Sequence, residues 1–330
     1  MKVLNQQELK SIEQLFQLTQ NQLLKAMKYY LETQYDNVIA TKDFIIAVGD
    51  IPVGLIAHLD TVFKRPPQNI FYDRVKNVMW SPEGLGADDR AGIFSIIQII
   101  KKGFRPTVIF TTDEEFGCLG AGVLVNEISE APMRLKYIIQ LDRRGNNDCV
   151  FYDCDNLNFN KYIESFGFIT NSGSFSDISV ICPCWNTAGV NLSIGYYNEH
   201  SPMEILHIDQ MFDIVVKVEN MLIDIDNADY FEYIKKSQYI DILDFKNIQD
   251  DCSKNKCKYC GYWDYEYNLF PIKIEEENKT IFLCCDCISQ YKDIYWCSVC
   301  GEPFVNKNYQ KGETYQCQKC RGKNLNDFKY

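Results

Sequence analysis

The chain has 330 residues, 46% of them hydrophobic and 24% charged, with a formal net charge of −11. That length exceeds the usual single core, so two domains are expected, and no run of 18 apolar residues offers a membrane-spanning helix. The acidic balance argues against general affinity for nucleic acid or anionic membranes, and the N-terminus, MKVLNQQELKSIEQLF, lacks the apolar stretch of a secretory leader.

In chain order, Leu9, Ile12, Leu15, Phe16, Leu23, Leu24 and Met27 recur near a helical period, which predicts helix over 6–33. Runs 44–49 (FIIAVG) and 53–58 (VGLIAH) read as strands, with Asp50-Ile51-Pro52 a hairpin-like or turn signal between them. Ile93, Ile96, Ile97 and Ile100 predict a helix over 88–102, closed by Gly103. Residues 107–112 (TVIFTT) form a buried-strand run, followed by a helix near 119–128. Strands are expected at 136–142, 148–153 and 186–194, and helices over 157–166 and 208–225. Strands alternating with helices predict an α/β class with a mostly parallel central sheet flanked by helices. The expected organisation is an N-terminal helical segment (1–35), an α/β domain (36–228), a linker (229–251) and a small cysteine-rich domain (252–330).

Five short segments carry the chemistry: H58-L-D60, G86-A-D88-D89-R-A-G92, T112-D-E114-E115-F-G117, L141-D142-R-R-G145 and Y197-N-E-H200-S-P-M-E204. Two of the three histidines fall inside them. The carboxylates follow predicted strands, where sites form in open α/β sheets. Taken singly, each has a structural alternative. His58 could be a buried strand-end histidine, Asp88-Asp89 a helix cap, Glu114-Glu115 a solvated loop and Asp142-Arg143 a surface ion pair. Their joint order favours a two-metal site, in which one carboxylate bridges two cations and imidazoles and further carboxylates complete each shell.

In this wording and order the chain resembles the co-catalytic di-zinc exopeptidase and aminoacylase superfamily, over about residues 40–225, and most closely its peptidase T-like branch. The resemblance implies that His58 and Asp142 bind one metal, that Asp88 bridges through a segment with a cis bond to Asp89, and that Glu115 and His200 bind the other. It implies that Asp60 orients His58 and that Glu114 is the general base. The implied fold is the zinc-exopeptidase-like phosphorylase/hydrolase fold. The implied cofactors are two catalytic Zn2+, with Co2+ or Mn2+ also suited to such ligands. The implied activity is metal-dependent hydrolysis of an amide bond by an exopeptidase, an aminopeptidase or a di- or tripeptidase. The alternatives are an N-acyl amino acid deacylase and a non-catalytic zinc-finger adaptor on a degenerate hydrolase fold. Asp142 and His200 are too close in sequence for the lid domain of many relatives, so a compact, lidless architecture and a monomer are expected. Arg143, Arg144, Tyr196 and Tyr197 are the candidates to replace lid-borne substrate contacts.

Ten of the 15 cysteines lie from Cys252 to Cys320, and eight form CxxC pairs: Cys257/Cys260, Cys284/Cys287, Cys297/Cys300 and Cys317/Cys320. In a chain without an export signal this reads as metal binding in a reducing, cytoplasmic compartment. Thiolates at this spacing converge on tetrahedral zinc, and two structural Zn2+ are expected in a double zinc-ribbon-like unit. Sequential pairing of the CxxC units is favoured, with a cross-braced pairing left open. The region has 12 Lys and Arg against 10 Asp and Glu, which suits a protein partner better than nucleic acid.

Overall fold

The computed structural model describes residues 2–236 and six short strands between residues 254 and 305. The chain divides into two compact units, Met1–Gln238 and Tyr239–Tyr330. The first contains, in order, α1 (Gln6–Phe16), α2 (Gln20–Glu32), β1 (Asn37–Ala40), β2 (Phe44–Val48), β3 (Ile51–His58), β4 (Phe71–Asp73), β5 (Val78–Trp80), α3 (Ala87–Lys101), β6 (Pro106–Thr111) and α4 (Leu119–Glu127). It continues with β7 (Tyr137–Arg143), β8 (Asp148–Val150), α5 (Leu157–Glu164), β9 (Ile169–Thr170), α6 (Asp177–Cys184), β10 (Gly189–Ser193), β11 (Tyr196–Tyr197), β12 (Ile205–His207) and α7 (Ile208–Ile223).

Eight strands form one sheet in the order β1-β2-β6-β3-β7-β10-β8-β9. Its centre, β6-β3-β7-β10, is parallel, and antiparallel pairs join it to both margins. Alternate residues of the central strands face two cores. Ile45, Leu55, Phe110 and Ile139 pack with α1, α2, α3 and α7, while Phe44, Ile56, Ile109 and Ile138 pack with α4 and α6. Burial on both faces explains why these strands read as continuous apolar runs. Every residue of α3 from Ala87 to Ile100 is buried.

Three local expectations are corrected. The helix predicted over 6–33 is two helices, because Thr19 and Gln22 form a capping box that starts α2. The runs 44–49 and 53–58 do not form a hairpin, since β6 lies between β2 and β3. A second sheet, β11-β12-β5-β4, has strands of two or three residues, too short to leave a period. Residues 228–236, expected as the end of the α/β domain and the start of a linker, run across the domain in extended form. Phe231 donates its N–H to Lys136 O (2.9 Å) and accepts from Ala188 N–H (2.8 Å), and Ile234 O accepts from Asp155 N–H (2.7 Å).

In the second unit, β13 (Lys254–Lys256) pairs with β14 (Trp263–Tyr265). The strands β15 (Phe270–Ile274), β16 (Lys279–Leu283), β17 (Ile294–Trp296) and β18 (Pro303–Val305) form a sheet in the order β16-β15-β18-β17. In sequence, β13 and β14 flank Cys257/Cys260, and β17 and β18 flank Cys297/Cys300. All eight CxxC cysteines lie outside the described residues.

The strap at 228–236 is held by an aromatic cluster. Phe231 lies with its ring centroid 5.1 Å from Phe159 and 5.5 Å from Tyr162. Phe231→Ala in the full chain is expected to lose about 3–5 kcal/mol of unfolding free energy, read from urea denaturation followed by far-UV circular dichroism.

Candidate metal centre

The site forms at the C-terminal ends of the parallel strands. His58 is the last residue of β3, and Asp142 lies near the end of β7. Asp88 stands in the first turn of α3, where residues 88 and 89 leave helical geometry and their peptide bond is cis. Glu114 and Glu115 follow β6 in a turn closed by Gly117 and Cys118 N–H bonds to Glu114 O. His200 sits between β11 and β12 with a left-handed backbone (φ 61).

The structure brings these distant residues into two groups that share Asp88. Asp88 Oδ1 lies 3.0 Å from His58 Nε2, and Asp88 Oδ2 lies 3.1 Å from His200 Nε2. Asp142 Oδ1 completes the first group at 3.5 Å from His58 Nε2. Glu115 Oε1 completes the second at 3.0 Å from His200 Nε2.

Asp60 works on two elements at once. Its Oδ1 lies 3.2 Å from His58 Nδ1, leaving Nε2 as the ring nitrogen that faces the shared carboxylate. It also accepts the N–H groups of Glu114 and Glu115, both at 3.0 Å, and so fixes where each glutamate leaves the turn. Arg90 donates to Asp60 O and Leu18 O, both at 3.0 Å, from beneath.

The charge balance is lopsided. Burial pushes Glu114 up to about 8, and the charges of Asp142, Asp177 and Asp88 add to that. Burial and the neighbouring Asp88 push Asp142 up to about 7. Burial alone would lower His58, but its bonds to Asp142, Asp60 and Asp88 raise it well above the usual imidazole value. Asp88 and Glu115 raise His200 to about 10. Concentrated negative charge thus draws protons onto both imidazoles, and divalent cations answer the same charge.

The donor set fits such cations. Glu115 Oε1 is buried and takes no hydrogen bond of proper geometry although His200 Nε2 is near. Oxygen and imidazole donors converge, and mixed oxygen and nitrogen sets of this kind suit zinc, cobalt or manganese.

An open cleft of about 290 Å3 adjoins the groups, lined by Glu114, Arg143, Arg144, Tyr152, Tyr196 and Glu199 among others. Of the four substrate-contact candidates, Tyr197 is turned away. Its hydroxyl donates to Gln210 Oε1 (2.8 Å), and its ring meets His207 edge-on. Tyr196 is buried and donates to Asp142 Oδ1 (3.3 Å), so it supports that carboxylate from behind. Arg144 is exposed and paired with Glu199 (2.9 Å). Arg143 donates to Ser172 O (3.1 Å) and lies 3.4 Å from Asp148.

Several residues that hold the site escaped the sequence reading. Glu204 accepts from Gly86 N–H (2.5 Å) and Asp88 N–H (3.1 Å), fixing the loop that carries the shared carboxylate. Ser176 donates to Asp142 Oδ2 (2.9 Å), and Asn191 Oδ1 accepts from Asp142 N–H (3.0 Å). Asp177 is fully buried, accepts from Thr111 Oγ1 (2.5 Å) and is raised to about 6 by burial. A serine-rich run ahead of a helix, S172-G-S-F-S-D177, was the available signal for Ser176 and Asp177.

Among solved structures, the chain is similar to the aminopeptidase PepT from Bacillus cereus, at 14% identity and a TM-score of 0.53, covering 68% of this chain and 99% of that one. It is also similar to a tripeptidase from Staphylococcus aureus, at 13% identity and a TM-score of 0.54, again covering 68% and 99%. No protein-family profile matches the chain, and no curated protein matches it. The first unit therefore has the α/β fold of PepT-type aminopeptidases. No helix among the described residues is long and apolar enough to cross a membrane.

Asp60→Asn would weaken both the His58 bond and the anchoring of the Glu114-Glu115 turn. Metal affinity is expected to fall about 10–100-fold, measured by chelator competition on the purified chain.

Proposed function

We propose that the chain is a two-metal-dependent amide-bond hydrolase, an exopeptidase acting on short peptides. The carrying observation is the Asp88 carboxylate, which turns one oxygen to each of two imidazole-bearing groups. The likeness to an aminopeptidase and a tripeptidase supports a peptide as substrate. His58, Asp88 and Asp142 would hold one ion, and Asp88, Glu115 and His200 the other. When bound, such a pair polarises a carbonyl and acidifies water.

The chain's own groups do the rest. Glu114 lines the cleft beside both groups but belongs to neither. Its raised carboxyl suits a group that takes a proton from the attacking water and returns it to the leaving amine nitrogen. Asp60 fixes the His58 tautomer. Arg143 and Arg144 place positive charge on the cleft wall, where it can meet a substrate carboxylate. Residues 143–200 fold into β8, β9 and β10 of the same sheet, the helices α5 and α6, and β11 of the small sheet, with no inserted domain.

For the cysteine-rich unit the proposal rests on the sequence. Cys257, Cys260, Cys284, Cys287, Cys297, Cys300, Cys317 and Cys320 would bind two structural zinc ions that supply folding energy. The unit would dock a protein partner, and the chain would act in the cytoplasm.

Glu114→Gln is expected to lower kcat about 10²–10⁴-fold with metal content unchanged, assayed on a panel of aminoacyl, tripeptide and N-acyl amino acid substrates. Near-normal turnover by that variant would sink the mechanism. Elemental analysis should give about four zinc per full chain and two in a truncation ending near residue 245.

A further inference from the structure

Amide hydrolysis builds negative charge on the carbonyl oxygen, and a fixed hydrogen-bond donor aimed at that oxygen lowers the barrier. Residues 143–200 carry no inserted domain, and the cleft wall they form is one source of such a donor. Three tyrosines lie beside the site, and their hydroxyls have different commitments. Tyr196 donates to Asp142 and Tyr197 to Gln210. Tyr152 does neither.

Asn191 and Ser176 are the polar neighbours of the Tyr152 hydroxyl. Asn191 Oδ1 accepts from the Asp142 N–H (3.0 Å), which fixes the orientation of that side-chain amide. The Asn191 Nδ2 group must then be the donor. Its short bonds go to Asp142 O (2.8 Å) and to the Tyr152 hydroxyl oxygen (3.0 Å), with longer approaches to Asp142 Oδ2 (3.4 Å) and Ser176 Oγ (3.5 Å). Tyr152 is therefore an acceptor in this pair, and among the described residues no hydrogen bond of proper geometry is donated by its hydroxyl. The nearby Ser176 hydroxyl is turned to Asp142 Oδ2 (2.9 Å).

Position agrees with this accounting. Tyr152 lines the cleft together with Glu114, Asp142 and His200. Its backbone is left-handed (φ 51), a conformation uncommon for a bulky side chain and concentrated at functional sites.

We infer that Tyr152 is a catalytic residue whose hydroxyl donates a hydrogen bond to the scissile carbonyl oxygen as that oxygen gains charge. The inference rests on the hydrolase reading. No bond to Tyr152 forms or breaks, and its proton stays on the phenol. The donor is pre-positioned by Asn191, which also ties it to the backbone of Asp142.

The test uses the metal-loaded full chain, with tri-alanine as substrate and a phosphinic pseudo-tripeptide as a tetrahedral probe. Tyr152→Phe removes the hydroxyl and little else. It is expected to lower kcat about 10²–10³-fold and phosphinate affinity in parallel. KM should stay within about threefold of the parent value, and metal content and thermal midpoint should not change. A kcat within about threefold of the parent would overturn the assignment. So would loss of metal or of the fold in the variant, which would make the hydroxyl a structural part of the Asn191 network. If the parent enzyme cleaves neither tri-alanine nor any member of the wider amide panel, the hydrolase reading fails first and takes this inference with it. Activity in the parent that survives in the variant removes this inference alone.

Discussion

One carboxylate sets the terms for the site. Asp88 faces His58 with one oxygen and His200 with the other, and it does so as a buried carboxylate at the floor of the cleft, where a charge loses much of its hydration. Asp142 and Glu115 add further negative charge on either side. Such a cluster is tolerable only with compensating positive charge. The surrounding carboxylates raise the proton affinity of both imidazoles, and a pair of divalent cations would answer the same charge. Protons and cations then compete for the same donors, so metal affinity and proton release are linked at this centre.

The surrounding structure keeps that carboxylate in place. Glu204 holds Gly86 and Asp88 from the β11–β12 loop, while Asp89 accepts from His58 N–H and Gly92 N–H. Asp60 joins the end of β3 to the turn after β6. Four separated stretches of chain are thus closed into one network. Gly92 shows how tight the fit is. A Cβ there would run into Leu141 O and the Asp89 carboxylate, so α3 can lie against β7 only because residue 92 is glycine. Burial of α3 on all sides makes it a rigid platform for Asp88.

The residues that the structure gathers around Asp88 were legible as candidates in the sequence because their chemistry is rare and their places are regular. His58, Glu114-Glu115 and Asp142 each close or follow an apolar run, and only a few residue types can serve there. The parallel centre of the sheet was legible for a similar reason, since doubly buried strands read as unbroken apolar segments. What the sequence hid is governed by contact rather than by period. Nothing in the string marks that β6 inserts between β2 and β3, or that Thr19 breaks a continuous helical pattern. Glu204 was in view inside a quoted motif, yet its task depends on a loop fold that brings it to Gly86. Asn191, Asp177 and Tyr152 are ordinary residue types whose importance comes from hydrogen bonds spanning up to 66 positions.

The lack of an inserted domain has a chemical consequence. An enzyme with a lid can bring donors and charges onto the substrate at closure. Here the cleft wall next to Asp142 is built from Arg143 and Arg144, from Tyr152 beyond β8, from the 172–175 segment and from the loop that carries His200. Donors there must be in place before substrate arrives, and pre-organised donors avoid reorganisation during the reaction. The Asn191 amide meets that demand. It spends its oxygen on the Asp142 backbone N–H and its protons on Asp142 O and Tyr152, so the strand end that presents a ligand also orients the cleft's phenol. The proposed metal ligand and the proposed donor are thus tied to one buried side chain, and a shift of Asp142 would move both together.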